Sequence, residues 1–264
     1  MQLMLDIGDS RDRLGNIHRR LHRRFDQQGP YLLPDPVSQL VLAMIGGKTP
    51  ANVSNTAFER LADRFRQWEA LLEASAIEIE TLIADVTFAE IKAPRLKSAL
   101  AQVLDTNKQL TLANLSEMSV ENALLWLEQL PGVGRKTSAV VLNFSTLQRR
   151  ALVIDTHHLR VLRRLRLIGW RCDTRHAYDQ IMPLLPAAWS ADDFSEHHQL
   201  IKLLGQTVCR HAAAMCSICP LVSLCPTGRS SQRRLTPENR SPIDRGREGR
   251  RHQETSGSFN ALLL

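Results

Sequence analysis

Several common features are scarce or absent in this sequence of 264 residues, and each absence narrows the class of protein. No apolar run approaches the length of a membrane span, and residues 1–9 carry acidic side chains where a secretory signal needs an apolar segment. No stretch sustains period-two alternation, and no internal repeat is visible. Aromatic residues make up 5% of the chain, too few for a platform on which single-stranded nucleic acid stacks. We therefore expect a cytoplasmic, all-α protein.

Cysteine is also scarce, but its distribution is informative. Four of the five cysteines crowd into 17 residues with the spacing Cys-x6-Cys-x2-Cys-x5-Cys; they are Cys209, Cys216, Cys219 and Cys225. This crowding favours a metal site in a reducing compartment over a disulfide framework. Four thiolates suit an iron–sulfur cluster or a tetrahedral zinc ion, and the spacing leaves both open. The fifth, Cys172, is predicted to be a small core residue.

Positive charge is concentrated in two stretches of the chain, whose formal net charge is +7. Residues 149–175 contain eight arginines against two acidic residues, and residues 226–264 contain eight against four. Such concentration indicates a polyanionic partner, with DNA the obvious candidate, although a solvated helix face with counter-ions is the alternative. The composition from Thr227 onward predicts a disordered basic tail.

Two apolar helices joined by a tight glycine-containing turn are predicted near the middle of the chain. Leucines at helical spacing end before Pro131, and a second apolar helix follows the turn Pro131-Gly-Val-Gly134. The glycines permit a sharp bend or a close approach, and the amides that open the second helix form a seat for a phosphate. A plain αα-hairpin is the alternative interpretation.

Three stretches of the sequence resemble the endonuclease III family of DNA glycosylases. They are this turn, the Arg135-Lys136-Thr137 that follows it, and Ile154-Asp-Thr-His157 about eighteen residues after Lys136. The four C-terminal cysteines extend the resemblance, which covers roughly residues 15–226. It implies a two-lobed helix-hairpin-helix fold. Residues 1–36 and 149–226 would form the cluster lobe, and residues 37–148 a helical barrel containing the hairpin at about 119–146. Residues 227–264 would be the tail.

The same resemblance implies a chemistry for three groups of residues. Lys136 would attack C1′ of deoxyribose and form the imine from which β-elimination cuts the strand, whereas its alternative role is to touch a phosphate. Asp155 would be the essential carboxylate, although an aspartate there can also cap a helix. The four cysteines would hold a [4Fe–4S] cluster, with zinc as the alternative.

The expected partner is duplex DNA that contains damaged bases or abasic sites, bound by a monomer. The predicted DNA contacts are Gly132, Val133, Gly134, Arg135, Lys48, Arg160 and Arg210. Lys48 aligns with a glutamine wedge common in the family, but it is equally well a solvated loop lysine. We expect a glycosylase and AP lyase acting on damaged, oxidised pyrimidines. The alternatives are a monofunctional mismatch or adenine glycosylase and a non-catalytic DNA-binding scaffold.

Apolar periodicity and capping signals also predict the individual helices. Their expected ranges are 11–28, 40–45, 51–72, 76–84, 88–92, 95–105, 119–129, 156–168, 174–182 and 191–208.

Overall fold

A computed structural model describes residues 7–25 and 32–235, and within these ranges the chain is helical with no β-strand. The predicted all-α class is therefore confirmed. The helices are α1 (Ile7–Arg24), α2 (Pro36–Ile45), α3 (Ala51–Arg64), α4 (Trp68–Glu73), α5 (Ala76–Leu82), α6 (Ala89–Asn107), α7 (Val120–Leu127), α8 (Arg135–Asn143), α9 (Thr156–Arg164), α10 (Thr174–Ile181), α11 (Ala191–Thr207) and α12 (Pro226–Leu235). Short 3-10 turns occur at Ala113–Ser116, Met182–Leu184, Cys216–Ile218 and Val222–Leu224. In the described part of the chain, no helix is both long and apolar enough to cross a membrane.

The chain divides into two compact units. The terminal unit contains the described residues 7–25, 154–189 and 196–235. The central unit contains residues 32–153 and 190–195.

The central unit is built around α2. Asp35 caps this helix because its Oδ1 accepts hydrogen bonds from the amides of Val37 (2.9 Å) and Ser38 (3.0 Å). Seven of its ten residues are buried, and the helix packs against α3, α6 and α8. The apolar run at residues 40–45 is therefore the centre of this unit, as its composition predicts.

The terminal unit combines apolar packing with a cluster of histidines. Leu14, Ile17 and Leu21 form the buried stripe of α1. Nearby, the rings of His18 and His197 lie 4.8 Å and 5.1 Å from that of Trp189. Complete burial and the neighbouring histidines lower the pKa of His197 well below its usual range, so this imidazole is neutral at physiological pH.

Two stretches of the chain are divided into helices differently from the prediction. The ranges 88–92 and 95–105 form one helix, α6, with Pro94 inside it. Pro94 lies in the second turn, where its missing N–H removes a single bond, to the carbonyl of Glu90. The predicted helix 51–72 is instead divided into α3 and α4, and Phe65 ends the first of them.

The prediction of a disordered tail from Thr227 is wrong at its start, because α12 spans Pro226–Leu235. Contacts outside the helix hold it in place. The Thr227 hydroxyl donates to the carbonyl of Arg164 (2.8 Å), and the Gln232 amide donates to the carbonyl of Cys216 (3.4 Å). Composition alone misses these anchors because they come from distant segments. Residues 236–264 of the predicted tail lie outside the described residues.

Candidate functional site

The hairpin turn lies between α7 and α8 in the central unit. Gly132 has φ +83°, and a Cβ at this position would lie 3.1 Å from Cδ of Arg95 and 3.5 Å from Cε of Met44. Glycine is therefore required by both the backbone angle and the crowding. The Val133 side chain is buried and its amide donates to the carbonyl of Leu130 (3.1 Å), which closes the turn.

Gly134 differs from Gly132 because nothing in the fold requires a glycine there. Its φ of −115° suits any residue, and no heavy atom lies within 4 Å of a Cβ built on it. It is the N-cap of α8 and has no side-chain cap. The space beside the first amides of α8 is thus open to a ligand, which is consistent with the predicted phosphate seat.

Arg135, a predicted DNA contact, has its side chain inside the central unit. Only 3% of that side chain is exposed. Its Nε donates to Glu128 (2.5 Å) and its Nη2 lies 3.4 Å from Glu121. The guanidinium therefore fastens α8 to α7, which leaves the backbone amide as the part of Arg135 that can face a phosphate.

Lys136 is the second residue of α8 and is half-buried. Lys92 of α6 is its electrostatic neighbour. Burial, together with the charge of Lys136, lowers the pKa of Lys92 to about 8. Two lysine side chains thus share one partly desolvated region of the central unit, where two positive charges are unfavourable.

Lys48 projects from the turn between α2 and α3. Its backbone is left-handed, with φ +60°, and its side chain is exposed. The ammonium lies 5.5 Å from the ring centroid of Phe88, within the range of a cation–π contact. The turn is held by the Thr49 hydroxyl, which accepts from the Thr87 amide (3.2 Å).

Asp155 lies in the terminal unit and is the N-cap of α9. Its Oδ1 accepts the hydrogen bond from the His158 amide (2.7 Å), which is the capping role given above as the alternative for this residue. Burial alone would raise the pKa of Asp155. The effect of burial is outweighed by His198, the His158 amide and the rings of His158 and His157. The pKa of Asp155 therefore lies below its usual range. The carboxylate is consequently ionised at neutral pH.

The histidines that act on Asp155 were not assigned a role from sequence. His158 and His198 are buried, and their rings stack at 5.9 Å. The pair His197-His198 in α11 is visible in the sequence, but nothing local indicates that it faces α9. Gly205 allows the close approach of these helices, because a Cβ there would lie 2.8 Å from Cβ of His157.

Arg160, a predicted DNA contact, and Arg164 both bind the cysteine loop. Nε of Arg160 donates to the carbonyl of Cys209 (3.0 Å) and Nη2 to that of Gly205 (2.7 Å). Nη1 of Arg164 donates to the carbonyl of Arg210 (2.7 Å) and to Sγ of Cys209 (3.2 Å). Arg160 is thus a structural residue in this arrangement, whereas the predicted contact Arg210 is exposed.

The four cysteines of the loop form no disulfide, and each is partly buried. Burial raises the pKa of Cys219 to about 11, and the neighbouring thiols Cys209, Cys225 and Cys216 add to the rise. N–H groups already point at two of the sulfurs, from Arg164 to Cys209 and from Gly228 to Cys225 (3.3 Å). A thiolate accepts such bonds better than a thiol.

The chain is similar in sequence to known proteins. Residues 41–187 match the HhH-GPD superfamily of base excision DNA repair proteins. The chain is 30% identical to endonuclease III of Rickettsia conorii over 188 residues, which cover 70% of this chain and 82% of the relative. It is 35% identical to endonuclease III of Bacillus subtilis over 109 residues, 41% of this chain and 47% of that one.

Two solved structures share the fold. One is a trapped covalent intermediate of endonuclease III and DNA, with a TM-score of 0.70 and 22% identity, covering 84% of this chain and 98% of the other. The second is a non-covalent endonuclease III–DNA complex, with a TM-score of 0.70, 21% identity and the same coverage.

Proposed function

Because the chain belongs to the endonuclease III family of DNA glycosylases and AP lyases within the HhH-GPD superfamily, we propose that it excises oxidised pyrimidines from duplex DNA with Lys136 as nucleophile. The observation that carries the proposal is the position of Lys136. It lies in the first turn of the hairpin helix, half-buried and beside a second lysine. Burial and a neighbouring positive charge are the two conditions that disfavour an ammonium in general, and attack on a sugar carbon requires the neutral amine.

Lys136 needs this environment because an unperturbed lysine is almost fully protonated. At pH 7 only about one molecule in 2,500 would carry the neutral amine. In the proposed reaction the lone pair of the amine nitrogen forms a bond to C1′ as the glycosidic bond breaks. The electron pair of the glycosidic bond leaves with the base. Loss of a proton and opening of the sugar ring give an imine. Removal of the C2′ proton then expels the 3′ phosphate by β-elimination.

Asp155 is the proposed carboxylate partner of this chemistry. Positive charge develops on the sugar as the base departs, and an ionised carboxylate stabilises it. The lowered pKa of Asp155 supports this role, because the group carries its negative charge across the physiological range. The histidines His158 and His198 are in turn proposed to keep it ionised.

Duplex DNA is the proposed partner, seated on the hairpin. The open space beside Gly134, at the N-terminus of α8, suits a phosphate oxygen. Base release from a duplex further requires that the nucleotide leave the stack. We propose that the protein acts on DNA as a monomer, in the cytoplasm or at the nucleoid.

Cys209, Cys216, Cys219 and Cys225 are the proposed ligands of a [4Fe–4S] cluster. The cluster would cross-link the loop and supply folding free energy when bound, as metal centres in small loops do. The arginines Arg160 and Arg164 already fasten the start of this loop to α9. The loop, which carries the exposed Arg210, is therefore attached to α9, the helix that Asp155 caps.

The cluster can be tested by metal analysis. Purified protein is expected to be yellow-brown and to contain about four irons and four sulfides per chain. Cys216→Ser should lower the iron content and the thermal stability, whereas Cys172→Ser should change neither because Cys172 lies outside the loop. Colourless protein containing one zinc ion per chain would contradict the assignment.

Lys48 is the proposed wedge that fills the gap left by the flipped nucleotide. Lys48→Ala should reduce base release from duplex several-fold more than from single-stranded substrate, because only the duplex leaves an orphan base to support. Lys108→Ala is a matched control, since Lys108 is also exposed and left-handed, with φ +60°. Equal losses on both substrates would argue against a wedge.

The proposal as a whole is tested with a panel of duplexes, each carrying one defined lesion, scored separately for base release and for strand cleavage. Oxidised pyrimidines should give both products. Base release without strand cleavage would favour a monofunctional mismatch or adenine glycosylase. Binding without either product would favour a non-catalytic scaffold.

A further inference from the structure

The helix α12 begins at the last of the four cysteines. Cys225 has an extended backbone, with φ −101° and ψ 109°, and immediately precedes Pro226, the first residue of α12. Its carbonyl accepts a helical hydrogen bond from the Arg229 amide (2.9 Å), and its Sγ accepts from the Gly228 amide (3.3 Å). These are the two bonds that an N-cap residue makes. A proposed metal ligand is therefore also the cap of a helix.

The helix α12 is weak when considered by itself. It has ten residues, fewer than the roughly 12 to 15 that an isolated helix needs to be even marginally stable in water. Its sequence, Pro-Thr-Gly-Arg-Ser-Ser-Gln-Arg-Arg-Leu, includes a glycine, a threonine and two serines, which are poor helix formers. The stability of α12 therefore has to come from contacts with other segments.

The helix α12 is anchored to α9 and to the cysteine loop, residues 209–225. The Thr227 hydroxyl donates to the carbonyl of Arg164 (2.8 Å), and the Gln232 amide donates to the carbonyl of Cys216 (3.4 Å). The helix also packs against both 3-10 turns of the loop. Because a weak helix is held by these partners, the order of α12 depends on the order of the loop.

The two ends of the cysteine loop are fastened by arginines, whereas its middle packs against α12. Arg160 and Arg164 of α9 bind carbonyls at the start of the loop, and Nη2 of Arg13 in α1 donates to the carbonyl of Leu224 near its end (3.1 Å). The 3-10 turn Cys216–Ile218 in the middle contacts α12. A metal centre held by all four cysteines would tie this turn to both ends. Metal binding would thus order the part of the loop on which α12 lies.

The four cysteines suit a metal centre as its ligands. They form no disulfide, and the charges of the other three act on Cys219, so the four sulfurs share one neighbourhood. Four soft thiolates are the ligand set of an iron–sulfur cluster and also of structural zinc. The coupling to α12 requires only that the loop be cross-linked, which either centre achieves.

We propose that α12 is a clasp on this metal centre: a helix that metal binding at the four cysteines orders, and that in turn slows the loss of the metal. The two effects belong together, because a loop that α12 holds closed must open before the metal can leave. The clasp rests on the proposed ligand set but not on the proposed excision of bases.

Thr227 is a positioning residue in the clasp. As a thiol, Cys225 donates from Sγ to the carbonyl of Arg164 (3.3 Å). A metal-bound thiolate has no proton to donate, so this carbonyl would lose a donor when Cys225 binds a metal. The Thr227 hydroxyl, which donates to the same carbonyl, remains. The first turn of α12 therefore stays joined to α9 in the metal-bound protein.

The ordering of α12 by metal is tested by hydrogen exchange and mass spectrometry on the full-length protein. Metal-loaded protein is compared with the same protein after treatment with ferricyanide and EDTA, which removes iron or zinc. The amides of residues 226–235 should exchange about tenfold faster once the metal is lost, because a helix that opens locally loses its protection. The helix α10 of the same unit should keep its exchange rate and serves as the internal control.

The retention of metal by α12 is tested with paired substitutions in the full-length protein. Ser231→Pro removes an amide donor in the interior of α12, whereas Ser231→Ala keeps it. Release of metal into excess chelator should be several-fold faster in Ser231→Pro and unchanged in Ser231→Ala. Thr227→Val, which lacks the hydroxyl, should also release metal faster, and Thr227→Ser should restore the wild-type rate. The rates are measured as metal content over time.

Unchanged exchange of α12 after complete removal of the metal would overturn the clasp, as would equal release rates in Ser231→Pro and Ser231→Ala. Protein that carries neither iron nor zinc at the four cysteines would refute the ligand set and the clasp with it. Assays on lesion duplexes separate these results from a failure of the proposed reaction. Metal-loaded protein that shows the coupling but releases no base would refute the reaction and support the clasp.

Discussion

Lys136→Ala is expected to abolish covalent trapping by borohydride and strand cleavage at an abasic site, while binding to the duplex persists. Reduction captures an imine, and the methyl group of alanine supplies no amine to form one. Lys136→Gln should behave in the same way, although its side chain is close in length to that of lysine. Trapping is read as a protein band shifted by the mass of the labelled strand, and binding as the Kd for the same duplex.

Lys97→Ala is the matched control for Lys136→Ala. Lys97 is also a half-buried lysine of the central unit, and its ammonium donates to the carbonyl of Ala74 (2.6 Å). Loss of that contact should lower stability by roughly 1 kcal/mol while trapping is retained. Trapping that survives in Lys136→Ala would identify another amine as the nucleophile. Wild-type protein that releases a base yet never traps would favour the monofunctional alternative.

The sequence predicts best those features that depend on neighbouring residues. Ser75 caps α5 through the Glu78 amide (3.1 Å), as the capping pattern indicates. The apolar run of α2 marks the centre of the central unit, and the glycine pair of the hairpin marks its turn. Each signal lies within a few residues of the structure that it specifies, and the family and its fold follow from these signals together.

Features decided by distant residues could not be predicted in this way. Arg135 was expected at the DNA surface, but Glu121 lies 14 residues before it and binds its guanidinium. Arg160 and Arg164 lie on the polar side of an amphipathic helix, yet the carbonyls that they bind belong to residues 205–211. A helical stripe shows which residues avoid the core. It does not show whether a polar side chain meets solvent, DNA or a loop that folds over it.

The electrostatic neighbours of Lys136 and Asp155 could not be predicted from sequence for the same reason. Lys92 is 44 residues from Lys136, and the packing of α2 against both α6 and α8 brings their helices into the same unit. His198 is similarly remote from Asp155, although it is the strongest of the groups that lower the pKa of this carboxylate. The candidate catalytic residues could be identified from sequence, but their electrostatic neighbours required the fold.

Asp155→Asn is expected to slow base excision by about two to three orders of magnitude, the scale of losing one electrostatic partner of a transition state. The substitution removes the negative charge with little change in shape. The helix cap should survive, because asparagine accepts the His158 amide about as well as aspartate does. Strand cleavage at a pre-formed abasic site should be largely spared, because no glycosidic bond remains to be broken there. Single-turnover rates on a lesion duplex and on an abasic duplex measure the two steps separately.

Asp173→Asn supplies the control, because Asp173 caps α10 with the same geometry, its Oδ1 accepting from the His176 amide (2.8 Å). Both variants keep a capping side chain, so their thermal unfolding should remain close to that of the wild type, while excision should fall only in Asp155→Asn. Equal excision rates in the two variants would remove Asp155 from the chemistry and leave it as a helix cap. A loss of excision and abasic cleavage to the same degree would instead assign Asp155 to a step common to both, such as formation of the imine at Lys136.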